Sequence, residues 1–230
     1  MSSGGMEDYL RPTPIIDSDD ADIVAKAEEL CRGLTDDKEK VGRIYYFVRD
    51  LPYEIEGSFR YVAEGKTRAS DVLRAGKAFC MGKASLFVAL CRAAGVPARV
   101  AFQELSCPDK VFLGEVGKMW GERNLPWHTL GEAYVGGKWL KLDATIDKPQ
   151  AEREGRRYKE YDGESDIPTV EGPILRELGG YADYPSEIAR WYEGLAREVV
   201  KALDEGGGEA LGDAMFEGPG KEEVLKKRSG

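Results

Sequence analysis

Over the first hundred residues the apolar positions recur every three or four, and after Gly95 they begin to alternate. "DSDDADIVAKAEELCRG" predicts a helix. Its acidic start suits the positive end of the dipole, Ile23, Ala27 and Leu30 share a face, and Gly33 stops it. In "TDDKEKVGRIYYFVRDLPYE", Val41, Ile44, Tyr45 and Val48 form the next stripe, with Thr35 as the expected cap and Pro52 as the end. "RASDVLRAG" predicts a short helix ending near Gly76. The widest apolar face belongs to "FCMGKASLFVALCRAAG", a helix expected from about Cys80 to Ala94. Leu86, Phe87, Leu90, Cys91 and Ala94 mark that face, and Gly95 supplies the stop.

The strand period follows. "VPARVAFQEL" and "TLGEAYV" read as strands, and Gly136-Gly137 closes a hairpin into "KWLKLDAT". Pro108 to Trp127 is expected to be an irregular excursion with a helical turn. "AEREGRRYKEYDGESDIP" is polar and turn-rich. "YPSEIARWYEGLAREVVKALDE" predicts a further amphipathic helix with Ile188, Trp191, Leu195, Val199 and Leu203 on one face. The order predicts an α+β fold in which a central helix, opened by a cysteine, packs on an antiparallel sheet. The expected organisation is an N-terminal extension over 1–16, a core over 17–150, a polar segment and helix packed on it over 151–205, and a flexible tail over 206–230.

Charge and composition narrow the function classes. The net charge of -9 is spread along the 230 residues, and no basic stripe is interleaved with the tryptophans, which argues against nucleic acid as a partner. No apolar run approaches the roughly 20 residues of a membrane helix. "MSSGGMEDYLRPTP" has neither a basic start nor an apolar stretch, so no signal peptide is expected and a reducing, cytoplasmic setting is. Four cysteines are too few for a disulfide scaffold, and no C-x-x-C pair points to zinc or redox work. Asp17, Asp19 and Glu28 match three positions of a calcium loop. Asp22 stands where that loop requires glycine and Ala21 where it needs a ligand, so the aspartates read as a solvated helix start.

One cysteine has the right company for chemistry. Cys80 opens its helix, where unpaired N–H groups and the dipole favour a thiolate and where its own N–H can meet an oxyanion. His128 is the single histidine, so any Cys/His pair must include it. His128 and Asp143 lie on the two arms of the hairpin, on strands ~4.8 Å apart, so the carboxylate can reach the imidazole and fix its tautomer. Each residue has an ordinary reading as well: a small hydrophobe, a packed ring beside Trp127, a strand end. Their conjunction and order point to nucleophile, base and orienting carboxylate. Cys31 and Cys91 read as core residues, and Cys107 as a loop thiol near the cleft.

"TRASDVLRAGKAFCMGKASLFVALCRAAGVPARVAF" followed by "HTLGEAYVGGKWLKLDAT" resembles the core of the transglutaminase-like superfamily of papain-like folds, from roughly Lys38 to Thr145. That family opens a helix with C-x-x-x-A-x-L-x-x-x-L-x-R-x-x-G-I/V-P-A-R, then sets a histidine at the start of a strand and an aspartate in G-x-W-x-x-x-D. Cys80, His128 and Asp143 match, as do Gly95, Pro97, Ala98 and Arg99. Met81, Thr129 and Leu130 depart from the residues frequent in relatives, which leaves the substrate open. The resemblance implies acyl transfer or hydrolysis at an amide or ester through a thioester, on a peptide or protein amide substrate, with no metal and no organic cofactor. Papain's C-G-S-C-W is absent, and caspases place histidine first. Arylamine N-acetyltransferases share the Cys, His, Asp order, but their R-G-G-x-C approach is "AGKAFC" here. The rival class is a non-enzymatic interaction module on the same fold; retention of all three residues favours an enzyme.

Overall fold

The computed structural model describes residues 5–106, 114–156, 159–169, 172–206 and 216–227. Four helices, α1 (Ala21–Leu30), α2 (Asp37–Arg49), α3 (Glu56–Ala63) and α4 (Ala69–Ala75), lead to the central α5 (Cys80–Ala93). Then follow β1 (Ala98–Leu105), α6 (Gly114–Trp120), β2 (Leu125–Val135), β3 (Lys138–Leu142), α7 (Lys148–Arg153), β4 (Ile174–Tyr181), α8 (Ser186–Asp204) and α9 (Lys221–Lys227). The strands form one antiparallel sheet in the order β3-β2-β1-β4. The fold is α+β, as the change of period predicts.

α5 is enclosed by α1, α2 and α4 on one side and by β1 and β2 on the other, and every residue from Cys80 to Arg92 is buried. Its close seat on the sheet depends on Gly131 of β2, because a Cβ there would lie 2.2 Å from the Phe87 ring. Gly136 and Gly137 turn the hairpin with φ of 59° and 84°, left-handed values that glycine adopts without strain. Val41, Ile44, Tyr45 and Val48 face inward as expected, whereas Leu30 and Ala94, at helix ends, are half-buried. No helix among the described residues is long and apolar enough to cross a membrane.

Several expectations are corrected. Asp36, not Thr35, caps α2, since it adjoins the helix and accepts from Glu39 N at 3.2 Å. β2 begins at Leu125, so His128 lies within a strand rather than at its start. β2 is buried on both faces, which erases the alternation used to find its first residues. On α8 the buried stripe is Ile188, Tyr192, Leu195, Ala196 and Val199, while Trp191 and Leu203 are only half-buried. β4 lies in the stretch expected to be a polar segment and a helix, and it pairs with β1 to complete the sheet. Residues 216–227, expected in a flexible tail, place Phe216 and Val224 in the core. Phe216 and Val224, with Leu225 packed beside them, suffice to dock this polar stretch there. The expectation for Cys107 falls outside the described residues.

Candidate active site

The segment before α5 is pinned at each residue. Ala78 bonds Pro52 and Glu54 through its backbone, and Phe79 N donates to Ser58 Oγ at 3.0 Å. Phe79 is extended, and Cys80 is the first helical residue. The thiol therefore stands among N–H groups that lack helical acceptors, at the positive end of the dipole. Two phenols close over it. Tyr184 Oη donates to Met81 O at 2.9 Å and accepts from Ser85 Oγ at 3.2 Å. Tyr192 Oη donates to Trp127 O and lies 3.4 Å from Thr129 Oγ1. Burial, reinforced by the neighbouring Cys80, pushes both phenols up, so both are neutral.

His128 is wholly buried, and its Nε2 lies 2.7 Å from Asp143 Oδ2. Asp143 follows β3 directly. Its Oδ1 accepts from Thr145 N at 2.8 Å, and its carbonyl accepts from Tyr45 Oη at 3.4 Å. Burial by itself would raise the Asp143 carboxyl; the His128 charge and hydrogen bond, joined by Thr145, hold it below the usual range, so it stays ionised. A carboxylate at Nε2 takes that nitrogen's proton in hydrogen bonding and makes Nδ1 the basic position of the ring.

Of the three residues singled out from sequence, His128 and Asp143 are in direct contact. Cys80 is linked to them through its helix, which reaches the Asp143 turn where Lys83 Nζ donates to Thr145 O at 2.7 Å. Tyr184, Tyr192, Tyr45, Thr145 and Lys83 were not picked out from sequence. The stripe read on α8 ran through Trp191, one residue away, and gave no signal for Tyr192 or its hydroxyl. Lys83 and Arg92 are the two charged residues of an otherwise uncharged helix, and that isolation is the signal that could have marked Lys83. Cys91 is buried and its thiol pushed well up by that burial, which makes it inert; Cys31 caps the end of α1. Asp17 accepts from Ser70 N and Oγ, at 3.1 and 2.6 Å, and Asp20 caps α1. Among the described residues no cluster of His, Cys, Asp and Glu is arranged to hold a metal ion.

Residues 24–144 match the family described as the transglutaminase-like superfamily. Among solved structures, a candidate cysteine protease from Cytophaga hutchinsonii is 26% identical, over 62% of this chain and 42% of its own, with a TM-score of 0.48. A crystal structure of a TGase is 15% identical over 63% of this chain and 33% of its own, with a TM-score of 0.33. The chain thus spans less than half the length of either protein. No curated protein matches it.

Proposed function

This chain belongs to the transglutaminase-like superfamily, a fold of cysteine enzymes, and from that premise we propose that it breaks an amide or ester bond with Cys80 as nucleophile, His128 as proton carrier and Asp143 as orienting carboxylate. The observation that carries this reading is the buried His128–Asp143 contact of 2.7 Å made through Nε2, which turns Nδ1 into the base. A base whose tautomer is fixed in this way is what a thiol at a helix start needs.

His128 Nδ1 takes the proton of Cys80 as Sγ adds to the carbonyl carbon, and the carbonyl electron pair moves to oxygen. N–H groups at the start of α5 stabilise that oxyanion. Its collapse breaks the bond to the leaving amine or alcohol, to which His128 returns the proton, and a thioester remains on Cys80. Water attacking the thioester gives hydrolysis, and an amine gives transamidation; either restores the thiol. The substrate class is a peptide or protein amide.

The test follows alkylation of Cys80 by iodoacetamide across pH, with the site resolved by peptide mass spectrometry. Cys80 is expected to react at neutral pH, and His128→Asn to slow that reaction. Coincident curves would remove His128 from the site. One observation favours the rival reading of an interaction module: Cys80 is 4% exposed and His128 0%, so both side chains are closed off from solvent. A Cys80 that stays inert in the folded chain throughout this range supports the module.

A further inference from the structure

We propose that Lys83 is a positioning residue for this site: its buried ammonium ties the turn that holds Asp143 to the helix that carries Cys80. This inference rests on the reading of Cys80, His128 and Asp143 given above.

Lys83 lies one turn beyond Cys80 on α5 and is 0% exposed. Its Nζ donates to Arg49 O at 2.9 Å, Leu51 O at 2.8 Å and Thr145 O at 2.7 Å. An ammonium has three N–H donors and no acceptor, so three carbonyls match it one for one. A neutral amine has two donors and would turn its lone pair toward the third carbonyl. Arg49 ends α2, where carbonyls lack helical partners and the dipole is negative, a further attraction for a cation.

The groups around Lys83 pull in both directions. Burial lowers its pKa to about 7, Asp147, Asp143 and Asp50 work against that, and Arg49 adds to it. The carbonyl cage settles the balance in favour of the ammonium, because only the charged amine satisfies all three oxygens.

The Thr145 contact is what reaches the chemistry. Thr145 is gripped from both ends: its carbonyl by Lys83 and its N–H by Asp143 Oδ1 at 2.8 Å. The other Asp143 oxygen holds His128 at 2.7 Å. A chain of short polar contacts therefore runs from α5 through Lys83, Thr145 and Asp143 to the imidazole. With Lys83 removed, the turn is tethered to α5 by packing alone, and the carboxylate loses its aim. A lysine that only fills the core would leave that aim unchanged.

Lys83→Met keeps an unbranched apolar stem, one atom shorter, and removes every donor. At matched folded fraction, Cys80 alkylation by iodoacetamide at neutral pH is expected to slow roughly tenfold, as a misplaced catalytic group does, toward the rate of Asp143→Asn. Lys83→Met added to Asp143→Asn is expected to slow it no further, since two residues acting through one contact are not additive. Lys83→Gln, which keeps two donors, should fall between Lys83→Met and the wild type. The proposal is overturned if Lys83→Met reacts at the wild-type rate, if it slows the Asp143→Asn background equally, or if neither Lys83 variant folds. When His128→Asn and Asp143→Asn slow Cys80 and Lys83→Met does not, only the role of Lys83 fails. When His128→Asn has no effect, the reading of the site fails and takes this inference with it.

Discussion

A tyrosine hydroxyl has one proton to donate, and at Tyr192 it goes to the Trp127 carbonyl, which Thr129 Oγ1 also approaches at 3.4 Å. Tyr192→Phe is expected to lower stability by about 1 kcal/mol, the net contribution of one such bond. A denaturant midpoint equal to that of the wild type would show that Thr129 satisfies the carbonyl alone. Asp143 carries a pH signature. Its carboxyl titrates below the ordinary range in the folded chain, so it contributes stability that is present above about pH 4 and is lost as pH falls. In denaturant unfolding, the gap between wild type and Asp143→Asn should narrow between about pH 5 and pH 2. A gap independent of pH would separate Asp143 from any charge on His128.

Between elements, the contact of α5 with β2 governs where Cys80 stands. Gly131 lets the Phe87 ring lie against the strand, and a methyl group there would meet it at 2.2 Å. Gly131→Ala should destabilise the chain by roughly 1–3 kcal/mol, as overpacking of a dense core does. An unchanged midpoint in denaturant would show that α5 shifts freely on the sheet. Cys91→Ala, on the buried face of the same helix, is expected to lose about 1 kcal/mol and to leave Cys80 reactivity intact. Elements with one wet face were legible from periodicity: the stripe read on α2 is buried whole, and those on α1 and α8 are buried except at Leu30, Trp191 and Leu203. α3 is short, the first residues of β2 are buried on both faces and β4 is interrupted by Gly179 and Gly180, and none of these leaves a period long enough to read.

At the scale of the whole molecule, one apolar cluster joins the helices, the sheet and the C-terminal segment. Phe216 packs on Trp120 with ring centroids 4.6 Å apart, and the Arg123 guanidinium lies 4.9 Å from its ring centre. Phe216→Ala is expected to lower global stability by about 3 kcal/mol. A variant that keeps its unfolding midpoint and only gains local hydrogen exchange would show that the segment docks without belonging to the core. The sequence by itself determined the central helix, the hairpin, and the pairing of His128 with Asp143. Each of these is a local matter: a helical stripe, a two-glycine turn, and two residues placed across it on neighbouring strands. The burial of Cys80, the Tyr192–Trp127 hydrogen bond, the Lys83 cage and the docking of Phe216 were decided only by tertiary structure. They join residues far apart in the chain, as Lys83 joins Arg49 to Thr145, and no periodicity encodes which distant carbonyl a buried donor will meet.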